Sequence, residues 1–202
     1  LTVAETGWGK ASWGKIYGQW LCGCGVMVYD FDIFSPEKLL KVIEDFKVTS
    51  FCAPPTVYRY FIKKDMKKFD LSHLEHITTA GEALNPEVFE QVHKQTGLQI
   101  MEGFGQTESV LMLGNLVGST AKIGSLGKPT PLYNIMIADN EGNRLPANEV
   151  GEIVVIPSEN QHGIFMGYCG NEDLYANVWK YGIYHTGDTA YMDDDGYYWY
   201  VG

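Results

Sequence analysis

The reading of the fold turns on QIMEGFGQTES, Gln99 to Ser109, where strand-forming residues give way to two glycines and then to a Gln-Thr-Glu exit. Gln99, Ile100 and Met101 suit the end of a short buried strand. Gly103 and Gly105 are expected to supply turn conformations and to leave no side chain between the backbone and a ligand. Thr107 offers a hydroxyl to a phosphate or carboxylate oxygen, and Glu108 is a charged oxygen donor suited to a hard cation such as Mg²⁺. A hydroxyl beside a carboxylate after a flexible turn is what a metal-nucleotide site needs, although the same letters also make an ordinary polar loop.

Upstream of this stretch, short apolar runs alternate with amphipathic segments. Val26 to Tyr29 is a candidate buried strand, after which Ser35 can cap a helix that has Pro36 at its first position and Glu37 near the positive end of its dipole. Leu39, Leu40, Val42, Ile43 and Phe46 recur at helical spacing. Thr49 to Ala53 is the next strand, Pro54-Pro55 opens a second helix, and His76 to Ala80 is a third strand. Asn85-Pro86-Glu87 repeats the cap, proline and acid signature, and Gly97 ends that helix. Alternation of this kind predicts parallel βα units, whose ligands sit at the carboxyl ends of the strands. TTAGE and MEGFGQTE both fall at such ends.

Downstream the pattern changes. Ile135 to Ala138, the turn DNEGN (Asp139 to Asn143), Glu152 to Ile156, Tyr184 to Met192, the turn DDDG (Asp193 to Gly196) and Tyr197 to Val201 read as short antiparallel strands joined by hairpins. The fold class expected is α/β, with parallel βα units over residues 1–125 followed by a β-rich, distorted-barrel subdomain over 126–202. DDDG lacks the first ligand of a calcium loop, because Tyr191 stands in its place. Near the amino terminus GKASWGKI (Gly9 to Ile16) falls one hydroxyl short of a phosphate-binding loop. Trp8, Trp13, Tyr17 and Trp20 are spaced for a partly buried helix instead.

The central motif does not stand alone. TTAGEAL (Thr78 to Leu84), GKP (Gly127 to Pro129), GEI (Gly151 to Ile153) and YHTGD (Tyr184 to Asp188) flank it in order. Together they resemble the signatures of the AMP-forming acyl-CoA synthetases, of the adenylate-forming superfamily that also holds luciferases and peptide-synthetase adenylation domains. The resemblance runs from Gly7-Trp8 to Gly202. The stretch from Phe34 to Glu108, with APPTVYR and QTGLQI, is most similar to the medium-chain and acetyl-like branch.

The resemblance implies that a small-molecule carboxylate is joined to AMP from ATP, with Mg²⁺, and then passed to CoA. It places Gly81, Glu82 and Ala83 on the adenine side and Glu102, Gly103, Phe104, Gly105, Gln106 and Thr107 around the nucleotide. Thr107 falls near the α-phosphate and the substrate carboxylate, Glu108 on Mg²⁺, and Asp188 on the ribose hydroxyls. Trp8 falls in the wall of the acyl pocket, as does Gly105, where acetate-specific relatives carry tryptophan. Glycine there implies room for a medium-chain or aryl acid. Read without the resemblance, residues 81–83 are a turn before Asn85, Asp188 is a turn aspartate after Gly187, and Trp8 is plain core. His73, His76 and His185 read as packing or solvent residues.

The same resemblance puts the family's phosphate loop, ribose-binding arginine, hinge aspartate and catalytic lysine outside these 202 residues. The expectation is thus a fragment, inactive by itself, of a parent acid-thiol ligase. Two alternatives are an adenylation enzyme that loads a carrier-protein thiol and a non-catalytic binding module. A net charge of −10 argues against a nucleic-acid partner. Lys63, Lys64, Lys67 and Lys68 surround Asp65 and read as a solvated helix end. Cys22, Cys24, Cys52 and Cys169 form no C-x-x-C pair and are expected as reduced core thiols. With no glycosylation sequon, secretory leader or membrane-length apolar run, a cytoplasmic location is expected.

Overall fold

The amino-terminal aromatics adopt a helix of the wrong pitch for the core that their spacing predicts. In the computed structural model, which describes residues 1–159 and 162–202, Lys10–Tyr17 is a π-helix that runs into a short α-helix, α1 (Gly18–Leu21). The wider turn, marked by the Gly18 N–H donating to the Trp13 carbonyl, moves side chains off a 3.6-residue stripe. Trp13, Tyr17 and Trp20 pack against one another instead, with ring centroids 6.0 and 6.4 Å apart. They are 47, 52 and 63% exposed, whereas Ala11 is buried. The helix is partly buried, as expected, but through Ala11 and its half-buried neighbours, while the aromatics that suggested it form the exposed side.

The described residues divide into two compact units, Leu1–Glu102 and Gly103–Gly202. In the first, helix α2 (Pro36–Asp45) begins where predicted, with Ser35 Oγ accepting from the Lys38 N–H at 3.3 Å. Strand β1 (Ser50–Cys52), helix α3 (Pro55–Phe61), strand β2 (His76–Thr79) and helix α4 (Pro86–Thr96) follow. Asn85 Oδ1 caps α4 through the Glu87 N–H at 2.8 Å, and Gly97 ends it at φ 77°, a left-handed conformation that glycine takes without steric cost. Strand β3 (Ile100–Gly105) lies parallel to β2, and β2 parallel to β1, so Ser50, His76 and Ile77, Ile100 mark successive registers. Leu39, Leu40, Ile43, Phe51, Tyr58, Phe61, Val88 and Val92 fill the core between helices and strands. Each such burial is worth roughly 1.5–3 kcal/mol.

Val26 to Tyr29 is not a strand. The edge beside β1 is taken by Leu1–Val3, whose backbone bonds Cys52 from both sides (Val3 N to Cys52 O 2.8 Å, Cys52 N to Leu1 O 3.0 Å), so Val26 to Tyr29 runs unpaired and Val28 is 70% exposed. The cysteines also depart from expectation. All four are free thiols, but Cys22, Cys24 and Cys169 are exposed and Cys52 is half-buried, because the first three lie in loops next to glycine rather than on core elements.

In the second unit, the end of β3 turns antiparallel. Gly103 faces Gly114 of β4 (Leu111–Gly114), and β4 pairs with β5 (Lys128–Pro129). Strands β6 (Asn134–Ala138) and β7 (Gly151–Ile156), helix α5 (Glu172–Val178), and strands β8 (Trp179–Lys180), β9 (Ile183–Met192) and β10 (Tyr198–Tyr200) complete it. The order is β10-β9-β7-β6, antiparallel throughout, with β8 on the edge of β9. This is the α/β-then-curled-barrel class that the sequence predicts. The division between the units falls at Glu102, ahead of the change of pattern near residue 125: β4 and β5 continue the sheet order β1-β2-β3-β4-β5 by antiparallel pairing from the end of β3 and count with the second unit.

Gly103 and Gly105 sit inside β3 and not in a turn. Their reason is close approach. A Cβ on Gly103 would meet Leu111 Cδ1 at 2.6 Å, and one on Gly105 would meet the Val110 carbonyl oxygen at 2.4 Å.

Candidate functional site

Each unit carries part of the predicted constellation. In the first, the positive φ of Gly81 (97°) turns the chain out of β2 so that Gly81, Glu82 and Ala83 lie exposed at the carboxyl end of the strand. Trp8, Lys10, Glu5, Pro54, Gly81 and Glu82 line a cleft of 240 Å³. Lys10 Nζ donates to the Ala80 carbonyl at 2.5 Å and lies 3.6 Å from where a Gly81 Cβ would stand. Burial pulls the Lys10 ammonium below the usual lysine range, against the pull of Cys52 and Glu82. Glu82 is held on its outer side, accepting from Arg59 Nη2 at 2.8 Å and from Thr56 Oγ1 at 3.0 Å. Arg59 and Glu82 are about half exposed, which makes their ion pair a weak one.

Glu102 does not join that cleft. Its side chain turns inward from β3, is 4% exposed, and accepts the Leu84 N–H on Oε1 at 3.1 Å. Burial pushes its carboxyl up to about 7, against the Leu84 hydrogen bond. It braces the residue after the 81–83 turn from below and touches no open surface.

In the second unit, Gln106 is the organising side chain. Its Nε2 donates to the Thr186 carbonyl at 2.8 Å and to Asp188 Oδ2 at 2.6 Å, while its Oε1 accepts from the Tyr184 hydroxyl at 2.9 Å. The turn that follows is pinned by Ser109 Oγ, which accepts the Gln106 N–H at 3.1 Å, and by the Phe165 N–H on the Glu108 carbonyl at 2.8 Å. Thr107 lies exposed at the tip, and Glu108 beside it is half-buried with Oε1 accepting from the Tyr168 hydroxyl at 2.9 Å. Phe104 packs into the core of this unit.

Asp188 stands on a bulge of β9. Glu152 faces Thr189 and Val154 faces His185, so Thr186, Gly187 and Asp188 of β9 oppose Ile153 alone on β7. Gly187 takes φ 77° there, and Thr186 Oγ1 ties the bulge by donating to the Ile153 carbonyl at 2.8 Å and accepting the Asp188 N–H at 3.1 Å. Asp188 Oδ1 accepts from the Tyr200 hydroxyl at 3.3 Å. Burial raises the Asp188 carboxyl above the usual aspartate range, partly offset by Gln106 and Tyr200 and reinforced by the charge of Glu152.

The site residues missed in the sequence are thus Lys10, Arg59 and the tyrosine hydroxyls at 168, 184 and 200. Tyr184 was within the quoted YHTGD, but a hydroxyl's partner is not visible in one dimension. His185, read as packing or solvent, is paired with Glu152 at 2.7 Å. His73 and His76 join no metal cluster, and among the described residues no group of three or more His, Cys, Asp or Glu could hold a metal ion. No helix among the described residues is long and apolar enough to cross a membrane.

The family model for AMP-binding enzymes matches residues 8–169. The mitochondrial acyl-coenzyme A synthetase ACSM3 of Mus musculus is 40% identical over 201 residues, 98% of this chain and 34% of the relative. The human mitochondrial acyl-coenzyme A synthetase ACSM4 is 40% identical over 99% of this chain and 35% of its own length. The chain therefore spans about a third of the curated relatives it matches. Among solved structures, the anthranilate CoA ligase AuaEII in complex with anthranoyl-AMP superposes with a TM-score of 0.90 at 29% identity, over 100% of this chain and 38% of that one. An acyl-CoA synthetase of Brucella canis gives 0.89 at 27%, over 100% and 37%. The mitochondrial relatives overturn the cytoplasmic location expected from the sequence.

Proposed function

We propose that this chain, which belongs to the AMP-binding enzyme family, is the nucleotide-holding part of an AMP-forming acyl-CoA synthetase for medium-chain or aryl carboxylic acids. The observation that carries the reading is the bridge made by Gln106. Its side-chain amide ties the start of the turn that carries Thr107 and Glu108 to the Thr186 carbonyl and the Asp188 carboxylate. An ionised carboxylate only accepts hydrogen bonds, and a ribose diol offers two donors, so Asp188 is chemically apt for the sugar. Thr107, at the exposed tip, is placed to donate to an α-phosphate or substrate carboxylate oxygen.

The donor set suits Mg²⁺. Tyr168 occupies Glu108 Oε1, which leaves Oε2 as a hard oxygen donor, and Mg²⁺ commonly takes one or two carboxylates and completes its shell from phosphate and water. Bound there, the cation would neutralise charge on the phosphates. In the reaction a carboxylate oxygen bonds to the α-phosphorus of ATP as the bond to pyrophosphate breaks. The sulfur of CoA then attacks the acyl carbon, and AMP leaves. Gln106 holds the Asp188 carboxylate and the 107–108 turn in register before substrate arrives, which lowers the cost of ordering them.

The anthranilate ligase among the similar structures supports an aryl acid. The glycine at 105 supports it less directly than the sequence suggests, since the space a side chain would need is filled by the Val110 carbonyl. Carboxylate-dependent pyrophosphate exchange by the full-length parent, tried with acetate, octanoate and benzoate, tests the reading. Exchange driven best by octanoate or benzoate is expected. Strong preference for acetate would overturn the acid class, and no exchange with any acid would overturn the activity.

A further inference from the structure

The Glu152 carboxylate is engaged on both oxygens at the base of the β9 bulge, a role that the nucleotide reading leaves unused. Its Oε1 accepts the Gly187 N–H at 2.8 Å, and its Oε2 meets His185 Nδ1 at 2.7 Å. The bulge presses Thr186, Gly187 and Asp188 out of the ladder, and extra residues in a strand leave N–H groups that the partner strand cannot satisfy. Thr186 Oγ1 supplies an acceptor to the Asp188 N–H, and Glu152 supplies one to the Gly187 N–H. Side chains of β7 and β9 thus replace the missing ladder bonds. Gly187 sits at φ 77° with nothing within 4 Å of a Cβ position, so packing does not hold it and hydrogen bonds must.

His185 closes the arrangement. It is nearly buried, with the Tyr181 ring 6.4 Å away, and its bond to Oε2 stops the Glu152 carboxylate from rotating out to solvent. One face of the bulge is therefore clamped by Gln106, through the Thr186 carbonyl and Asp188 Oδ2, and its base is clamped by Glu152.

We propose that Glu152 is a positioning residue for the nucleotide sugar: by holding the Gly187 N–H, with His185 as its own brace, it fixes the bulge that aims the Asp188 carboxylate. The proposal rests on the reading of Asp188 as the acceptor of the ribose hydroxyls. Glu152 touches no substrate in this scheme and acts only through the backbone of residues 186–188.

The test uses the full-length parent in pyrophosphate exchange with ATP and with 2′-deoxy-ATP, and compares wild type with Glu152→Ala, Glu152→Gln and Asp188→Ala. Wild type is expected to discriminate against the deoxynucleotide, and Asp188→Ala to lose that discrimination. Glu152→Ala is expected to raise the KM for ATP about tenfold, the scale of one lost hydrogen bond to a charged group. It should also narrow the ATP to 2′-deoxy-ATP ratio by a similar factor, with the KM for the carboxylate unmoved. Glutamine keeps an acceptor for Gly187 and should restore both values to near wild type. Glu152→Val makes the same deletion with a side chain that favours strands, so the test stands if the alanine variant does not fold. If Asp188→Ala loses sugar discrimination while the Glu152 deletions keep it in full, the positioning role is wrong and the ribose reading survives. Unchanged discrimination in Asp188→Ala overturns the ribose reading, and the positioning role with it. A Glu152 deletion that lowers kcat alone, or raises both KM values equally, overturns the proposal as well.

Discussion

Replacing Glu102 by glutamine isolates the energetic effect of one buried charge. The carboxyl is 4% exposed, and burial raises its pKa to about 7 from an ordinary 4.5. Folding therefore favours the protonated form. The stability this confers is complete below pH 4.5, declines as pH rises through the window to 7, and is gone above it. A shift of that size amounts to about 3 kcal/mol. Glutamine keeps an oxygen for the Leu84 N–H and removes the charge, so the variant should match wild type near pH 4.5 and exceed it by up to about 3 kcal/mol at pH 8. For a chain of this length, that is on the order of 5–10 °C in Tm. Urea titrations or thermal scans of both proteins at half-unit steps from pH 4.5 to 8 give the difference curve directly. A flat difference, or a glutamine variant that is less stable at pH 8, would refute the argument that desolvation governs this residue. Because Glu102 faces inward, the KM of the parent enzyme for ATP should hardly move.

Other outcomes follow from the same geometry. Gly127→Ala should cost more than about 3 kcal/mol in denaturant titration, because the backbone sits at φ 87° and a Cβ would stand 2.2 Å from the Gly114 carbonyl oxygen; wild-type stability in that variant would contradict the packing described. Thr107→Ala and Glu108→Ala in the parent should depress pyrophosphate exchange by at least tenfold, with stability changed by less than about 1 kcal/mol for Thr107→Ala and by about 1.5 kcal/mol for Glu108→Ala, which strands the Tyr168 hydroxyl, and wild-type exchange in both would remove the metal-nucleotide role. Gln106→Ala strands the Tyr184 hydroxyl and one Asp188 oxygen, so a loss of about 2 kcal/mol in stability is expected together with a raised KM for ATP; loss of stability with an unchanged KM would separate Gln106 from the nucleotide.

Helices α2 and α4 were readable because their signals are local. Ser35-Pro36-Glu37 and Asn85-Pro86-Glu87 state a cap, a fixed φ and a favourable charge within three letters, and Gly97 supplies the left-handed stop. The strands from Thr49 and His76 were readable from apolar runs, but Val26 to Tyr29 looked the same and found its place on the sheet edge filled by Leu1–Val3. Competition between segments for one edge has no local signature. Gly103 and Gly105 misled for a related reason. A glycine needed for positive φ and one needed for close strand approach are the same letter, and only the partners at Leu111, Leu113 and Val110 tell them apart. Motif resemblance offers Thr107, Glu108 and Asp188 as candidates, but the tie from their turn to Asp188 was not legible, because Gln106 reads as an ordinary polar residue until its amide is seen on Asp188 and Thr186. Glu152 was legible only as a strand residue and as part of GEI, and its hold on the Gly187 N–H depends on a bulge that spacing alone cannot reveal.

The exposed thiols give the molecule a built-in set of chemical reporters. Cys22 and Cys24 lie in the first unit and Cys169 in the second, all open to solvent, while Cys52 is half-buried on β1. A short pulse of alkylating reagent should tag the three open positions at once and leave Cys52 to react as its strand frees itself. Mass spectrometry of such pulses along a denaturant series would then time the opening of the parallel sheet at a native atom, with no engineered label to disturb it.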